Sequence, residues 1–400
     1  MLNKKILWVE VWSIATVQAS ITLTWVIYNL YFPQLLVGFG FSKELAVTIL
    51  LIENAIESIA EPIFGELSDR QQSIQGRKIP LILCGIILAS ALFIIFPCLA
   101  IFSPEQFSSR TLRWLLPGLA ILWASAMAIF RAPTMSLLGR CAPKAKLPQA
   151  ASVLTLVGGV IGALRFDAYG IILNLGAGFA FALGSFSLLL AAFALRQLNP
   201  VNSVANPVKQ RGKTPQISLR LSSLTFTIGI WMSWSLRYIM PAVSEFLQLQ
   251  FGADNGKTAM TIFLVLLGLA ALPAGKIATK LNNFKTMLLG IAGTIMALAL
   301  FSWLPSSTLP LAFLLIYLSL LLNGILPLIL NIFPQARSGL GMGLYFGGFG
   351  AGVSSFGFIS TQLNIVSLDH KIIGAIACVF LLGCWLVLVQ KTGFSPETTQ

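Results

Sequence analysis

Apolar residues recur along this chain in runs of about 20, the length a helix needs to cross ~30 Å of hydrocarbon. Such runs fall near residues 7–32, 43–67, 79–102, 114–138, 149–173 and 174–195. A second set falls near 219–246, 258–279, 285–304, 310–331, 336–361 and 371–391. The pattern predicts twelve membrane-spanning helices and an all-α fold. The six-and-six division depends on the joint at Asn174, where little beyond "NLGAG" punctuates the run. Between the two sets, residues 196–218 read "RQLNPVNSVANPVKQRGKTPQIS", which is polar, basic and proline-containing. That composition predicts a linker joining an N-terminal six-helix bundle (1–195) to a C-terminal one (219–400), a two-repeat plan common among carriers.

Composition agrees with the pattern: 56% of the 400 residues are hydrophobic and only 10% are charged, against about 45–50% apolar in a soluble domain. The 26 Lys and Arg residues then orient the chain, because short cytoplasmic loops carry the excess of positive charge. With the N-terminus inside, eighteen fall in inner segments and five in outer ones, and Arg131, Arg165 and Arg237 fall within spans. Both termini are therefore expected in the cytoplasm, in a bacterial inner membrane. The net charge of +13 is topological, and no nucleic-acid partner is expected. The start "MLNKKILWVEVW" has the basic-then-apolar look of a signal peptide, but the run is long and carries Glu10, so it reads as an uncleaved first span. Five cysteines without C-x-x-C spacing indicate neither a disulfide framework nor a metal site.

Charge inside the spans is where chemistry is expected. Span two, "LAVTILLIENAIESIAEPIFG", places Glu53, Glu57 and Glu61 at i, i+4 and i+8, along one helix face. An ionised side chain at mid-membrane costs about 3 kcal/mol, so each needs a partner or a wet cavity. Arg131, Arg165 and Arg237 are the candidate partners, with Asp167 as a fourth acid. Arg131 matches the depth of Glu57 and Glu61, whereas the other two arginines lie nearer the outer side. Three cations against four acids leave one carboxyl over, and an unpaired carboxyl in low dielectric tends to hold a proton. Glu57, with a glutamate one turn away on either side, is the first choice of proton carrier.

Two stripes offer a substrate surface. Span one places Gln18, Thr22, Trp25 and Asn29 at i, i+4, i+7 and i+11, and span seven places Thr227, Trp231, Trp234 and Tyr238 at the same spacing. Amides and hydroxyls suit sugar hydroxyls, and aromatic rings suit the C–H face of a sugar. Asn54, Asn323 and Asn331 add further amides.

The loop "GELSDRQQSIQGRKIP" gathers Glu66, Asp69, Arg70, Arg77 and Lys78 in a chain poor in charge. Its pattern of Gly65, Asp69, Arg70, Gly76, Arg77 and Lys78 resembles the signature loop of the major facilitator superfamily, G-x-x-x-D-R followed by a glycine and two basic residues. Five residues separate Arg70 from Gly76 where most branches have one. That long form, preceded by "EPIFGELSDR", looks like the plant sucrose carriers and their proton-linked sugar relatives in animals and bacteria. Gly275, Thr279 and Lys280 echo Gly65, Asp69 and Arg70 at the matching place in the second half.

The resemblance implies a twelve-helix carrier working by alternating access, with Asp69 anchoring a charge cluster that breaks as the halves rock. It implies a proton-influencing role for Arg131, which is similar to the superfamily's fourth-span arginine, and a central cavity lined by spans one and seven. There are departures from the sugar branch. The segment after span one, "YFPQLLVGFGFSK", lacks the branch's histidine, and Arg140 stands where a carboxylate is usual. Both argue against sucrose itself.

Two further motifs come to nothing. "GADNGKT" has too few residues between its glycines for a phosphate-binding loop and no preceding strand. "GLGMGLYFGGFGAG" never reaches G-x-G-x-x-G, and its Gly343/Gly347 and Gly348/Gly352 pairs read as close helix-packing contacts. With one histidine and no nucleophile–base pair, no enzymatic activity and no cofactor are expected. The expected partners are a small sugar-like solute, protons and the lipid bilayer, with the chain acting as a monomer. The alternatives are an exporter of amphipathic or drug-like compounds, against which span five lacks the G-x-x-x-G-P of many antiporters, and a non-transporting receptor or assembly factor on a carrier fold.

Overall fold

A computed structural model describes residues 5–75, 78–101, 112–166, 169–198, 215–304, 307–363 and 367–392. Gly76, Arg77, Asp167 and residues 199–214 of the expected linker lie outside the described residues. Twelve long helices make up most of the described chain, and no strand occurs among the described residues. They are α1 (Trp8–Gly38), α2 (Lys43–Gln75), α3 (Ile79–Ile101), α4 (Leu115–Ser136), α5 (Leu147–Ala163) and α6 (Ala177–Leu198), then α7 (Leu219–Phe251), α8 (Ala253–Leu281), α9 (Asn283–Trp303), α10 (Leu309–Ile332), α11 (Ser338–Leu363) and α12 (Leu368–Thr392).

Among the described residues, ten helices are long and apolar enough to cross a membrane by composition alone. Two long helices lie outside that set, α2 and α7, and α2 carries more charged residues than any other helix. Each has 33 residues, which at ~1.5 Å per residue spans about 50 Å. Both are built into the bundle, α2 against α4 and α11, and α7 against α11 and α12. The chain is an integral, multi-pass membrane protein.

The fifth span departs from the expected continuous run over 149–173. Helix α5 stops at Ala163, and tight turns follow in which Leu164 N–H donates to Ile161 O and Phe166 N–H to Ala163 O. A separate helical piece, Tyr169–Asn174, completes the crossing. The interruption falls where Arg165 enters the sequence, and its guanidinium lies 4.9 Å from the centroid of the Phe166 ring. The joint at Asn174 is a true boundary. Gly176 adopts φ 77°, open to glycine at no steric cost, and α6 begins at the next residue.

Close approach of α11 to two neighbours shapes the centre of the bundle. A Cβ on Gly339, Gly347 or Gly350 would sit 2.5 to 2.8 Å from the carbonyl oxygens of Gly65, Ser58 and Asn54 on α2. A Cβ on Gly352 would sit 2.9 Å from Ile230 O on α7, and Gly348 lies even closer to Phe226 O. Glycine is needed here because the facing groups are backbone, which cannot swing aside. Small residues of this kind are how helices in lipid gain packing without a hydrophobic drive. The pairs singled out in the sequence thus serve different neighbours: Gly343 and Gly347 face α2, while Gly348 and Gly352 face α7. A second seam joins α5 to α8, where a Cβ on Gly275 would lie 2.7 Å from Pro148 O. Inside the first six helices, the rings of Tyr28, Phe93, Phe96, Trp123 and Phe181 form a continuous aromatic core.

Candidate functional site

Helix α2 carries Glu53, Glu57 and Glu61 into the bundle, each at most 2% exposed. Arg131 of α4 reaches two of them: Nη2 donates to Glu57 Oε2 at 2.9 Å, and Nε to Glu61 Oε1 at 2.6 Å. The far side of the same guanidinium lies 5.2 Å from the ring centroid of Phe346 on α11. The cluster therefore sits on the seam between the first six helices and the last six. Glu53, one turn beyond, meets no cation and accepts a 2.5 Å hydrogen bond from the Tyr28 hydroxyl of α1. One oxygen of each carboxylate (Glu53 Oε2, Glu57 Oε1 and Glu61 Oε2) is buried without a hydrogen-bond partner.

This corrects the expected balance of buried charge. Arg165 and Arg237 are exposed and do not approach the glutamates. They belong to the other part of the spans, and a side chain of about 7 Å cannot bridge that depth. Of these three buried carboxyls on α2, Glu57 and Glu61 share Arg131, and the one that meets no cation among the described residues is Glu53, where the sequence had favoured Glu57.

At the end of the bundle where most basic residues gather, hereafter the basic end, Asp69 lies buried at the start of α11. Its Oδ1 accepts from Lys78 Nζ at 2.5 Å and from Gly339 N–H at 3.0 Å, and its Oδ2 accepts from Leu340 N–H at 2.8 Å. The free N–H groups of a helix N-terminus and its dipole favour an anion there. Lys78, 1% exposed, also donates to Ser136 Oγ at 2.9 Å and Ser338 Oγ at 3.3 Å. Burial pulls the Lys78 ammonium below its ordinary value while Asp69 opposes that pull. Glu66 forms an ion pair with Arg337 across the seam and accepts from Arg70 Nε on its own helix at 2.9 Å. Arg70 is largely exposed and takes no part in the buried cluster. Gly65 packs directly on the Gly339 carbonyl.

The two stripes have mixed fates. On α1, Gln18, Thr22 and Trp25 are half-buried and Asn29 is exposed, along a helix whose other faces are mostly buried. Gln18 Nε2 donates to Thr22 Oγ1 at 3.2 Å, and Trp25 packs edge-on against Tyr28 and Trp123. On α7, Thr227, Trp231 and Trp234 are half-buried, and Trp234 Nε1 donates to Ser355 Oγ at 3.2 Å. Tyr238 is buried against Phe356 and Gly374, so it serves packing. Asn323 is buried as well, and its amide donates to Pro148 O at 3.0 Å, tying α10 to α5. Asn54 donates to Leu50 O in its own helix. The indole N–H groups of Trp25 and Trp231 are buried and find no partner.

Sequence reasoning passed over Tyr28, Phe346, Arg337, Gly339 and Leu340. Tyr28 had one available signal, a hydroxyl in a span beside Asn29 of the polar stripe. The two backbone amides had none, since every residue carries one.

No family model matches the sequence, and no curated protein matches it. Solved structures do. A bacterial homologue of the iron transporter ferroportin, in an outward-facing state with soaked iron, superimposes with TM-score 0.69 at 14% identity over 97% of this chain and 100% of that one. The major facilitator superfamily proton:xylose symporter XylE, bound to 6-bromo-6-deoxy-D-glucose, gives TM-score 0.65 at 15% identity over 95% of this chain and 94% of that one. The human organic anion transporter MFSD10 (TETRAN) gives 0.61 at 15% identity, over 95% and 98%. Twelve long helices, a glycine-lined seam and a carboxylate docked on α11 thus accompany end-to-end similarity to three transporters, and the chain has the fold of the major facilitator superfamily.

Proposed function

We propose that this chain is a secondary active transporter that moves a small solute by alternating access and couples that movement to protons. The observation that carries the reading is the set of three buried carboxyls on α2 with one arginine, Arg131, paired to two of them, on the seam between the two six-helix sets. Fully ionised, the cluster would hold an excess of negative charge in a dry place, which is costly. Protons taken up there neutralise it, and because α2, α4 and α11 all contribute, the proton count is tied to how the sets meet. The two sets, 1–195 and 219–400 with 196–218 between them, act as the rocking bodies, and the basic end faces the cytoplasm.

The Asp69 cluster serves as the latch of that end, since its donors come from both sets. Asp69→Asn keeps the shape but removes the charge. It is expected to weaken the closed arrangement by about 2 kcal/mol, roughly 30-fold in the equilibrium. Transport should slow far more than substrate binding weakens, as read from turnover against affinity in proteoliposomes. Unchanged turnover would remove the latch role.

A sugar or similar polyol fits the α1 and α7 stripes, with Trp25 and Trp234 offering ring faces and Gln18, Thr22 and Asn29 offering polar groups. The xylose symporter among the structural neighbours supports this reading. Trp25→Ala and Trp234→Ala are each expected to weaken binding by about 1 to 2 kcal/mol, roughly ten-fold in affinity. Ligand-induced thermal stabilisation across a panel of sugars provides the measurement, and wild-type affinity in both variants would relocate the site.

A second reading, transport of an organic anion, rests on Arg165 and Arg237. Both are exposed, one comes from each set, and neither has a carboxylate partner among the described residues. Uphill uptake under an imposed pH gradient, run with neutral sugars and with organic anions side by side, separates the two readings.

A further inference from the structure

Beside the latch, at the basic end, a cavity of about 500 Å³ lies between the two six-helix sets. The first set supplies Lys5, Arg140 and Lys144 to its wall, and the second supplies Leu330, Gln335 and Ser338. Among the described residues, no carboxylate lines it. Arg140 is half-buried and has no ion-pair partner among the described residues. The acid whose charge reaches it is Asp69, already held by Lys78 and two backbone N–H groups. The cavity closes around Gly139, where a Cβ would stand only 3.4 Å from the Leu330 side chain of the opposite set.

We infer that this cavity binds a phosphate-bearing anion that bridges the two sets and holds the basic end closed. Arg140 lines the cavity with no ion-pair partner among the described residues, and an anion placed there pairs with it and with the ammonium groups of Lys5 and Lys144 on the same wall. A guanidinium offers a planar fork of N–H donors that matches two phosphate oxygens, and the two ammonium groups add point charge. Ser338 and Gln335 complete the recognition from the other side, with a hydroxyl and an amide. A free phosphate ion would leave most of about 500 Å³ empty, whereas sites for organic ligands run to roughly 300–1,000 Å³. The occupant is therefore a phosphate ester, and the same chemistry is carried by the headgroup of an anionic phospholipid and by a soluble organic phosphate. Because the walls come from both sets, the full contact exists only while the basic end is shut. A ligand that binds one arrangement better draws the protein toward it. Binding itself does not depend on the transport reading, whereas the consequence of holding that end closed does.

The test uses the purified full-length chain. Its thermal midpoint is measured in phosphatidylcholine nanodiscs, in nanodiscs also containing phosphatidylglycerol, and in detergent with glycerol 3-phosphate or inorganic pyrophosphate. In parallel, a water-soluble maleimide is reacted with a Ser68→Cys variant from which the native cysteines have been removed. Ser68 is buried against Gly339 in the seam, so its labelling rate reports opening of the basic end without any transport assay. The expected result is a saturable rise in midpoint together with slower labelling. Arg140→Ala should weaken the probe about ten-fold. Lys144→Ala, which changes an exposed side chain, gives the same reading should the arginine variant fail to fold. A rise confined to phosphatidylglycerol assigns the site to a lipid headgroup, and a rise with the soluble probes assigns it to a soluble phosphate. No rise, or an equal rise in both variants, overturns the site. A rise without slower labelling overturns the bridging. Neither outcome bears on proton coupling, so failure here is distinguishable from failure of the transport reading.

Discussion

Arg131→Ala is expected to be the most damaging single change in the buried core, lowering the thermal midpoint of the detergent-purified protein and abolishing both solute exchange and accumulation. Arg131 is the cation held between Glu57 and Glu61, at 2.9 and 2.6 Å. Removing one member of a buried pair leaves the other charge uncompensated, at a cost of about 3 to 5 kcal/mol, and here two carboxylates are stranded. Arg131→Lys should recover only part of the loss, because an ammonium donates from one nitrogen, whereas the guanidinium reaches Glu61 and Glu57 from two nitrogens held apart in a fixed plane. The discriminating variant is the triple change Arg131→Ala, Glu57→Gln and Glu61→Gln. If charge imbalance is the cause, neutralising all three restores the thermal midpoint, while proton-driven accumulation stays impaired because Glu53 no longer titrates beside the charges of Arg131, Glu57 and Glu61. A single Arg131→Ala protein with wild-type stability would mean that the cluster bears no net charge to be balanced.

Glu53→Gln carries the second large effect. Glu53 is the carboxyl with no cation, held by the Tyr28 hydroxyl and with Oε2 unsatisfied. Glutamine mimics its protonated form and keeps an oxygen to accept from Tyr28. Exchange of solute across the membrane should therefore persist, while uphill accumulation driven by a proton gradient falls to background. The sign follows from linkage. If solute binds best to the protonated carrier, wild-type affinity falls as pH rises through the range where the carboxyl gives up its proton, and the Gln variant's affinity stays flat across that range. A purely structural Glu53 predicts the opposite combination, with accumulation retained or exchange and accumulation lost together. Glu57→Gln differs again, because Glu57 helps hold Arg131 in place, and its removal should disturb stability as well as coupling.

Much of this arrangement can be read along the chain. A helix in lipid satisfies its own backbone, so each apolar run of about 20 residues has one available structure, and the run count gives the helix count. Helical period fixed Glu53, Glu57 and Glu61 on one face of α2, and rise per residue matched Arg131 to the depth of two of them. Rise alone also put Arg165 and Arg237 at another depth. Choosing Glu57 for the glutamates on either side of it could not reveal that Arg131 reaches Glu57 and Glu61 while Glu53 meets no cation among the described residues. The stripe on α7 shows the same limit: Trp231, Trp234 and Tyr238 do share a face, yet Tyr238 lies against Gly374 of α12 and Asn323 is bonded to Pro148.

The sequence by itself determined what is local to one helix: its existence, the face each residue occupies and its approximate depth. Those follow from backbone hydrogen bonding and a fixed rise and period, which need no knowledge of neighbours. Only the tertiary structure decided which faces meet. Asp69 finds the amides of Gly339 and Leu340, some 270 residues away, because glycines on α11 allow α2 to come within backbone contact. Glu53 finds Tyr28 and no cation because α1 and α4 approach α2 at different heights. The basic cavity exists because Gly139 of one set and Leu330 of the other come to line the same space across the seam. Helix rotation and approach are set by how side chains and missing side chains fit across an interface, a property of pairs of surfaces that no single stretch of sequence carries.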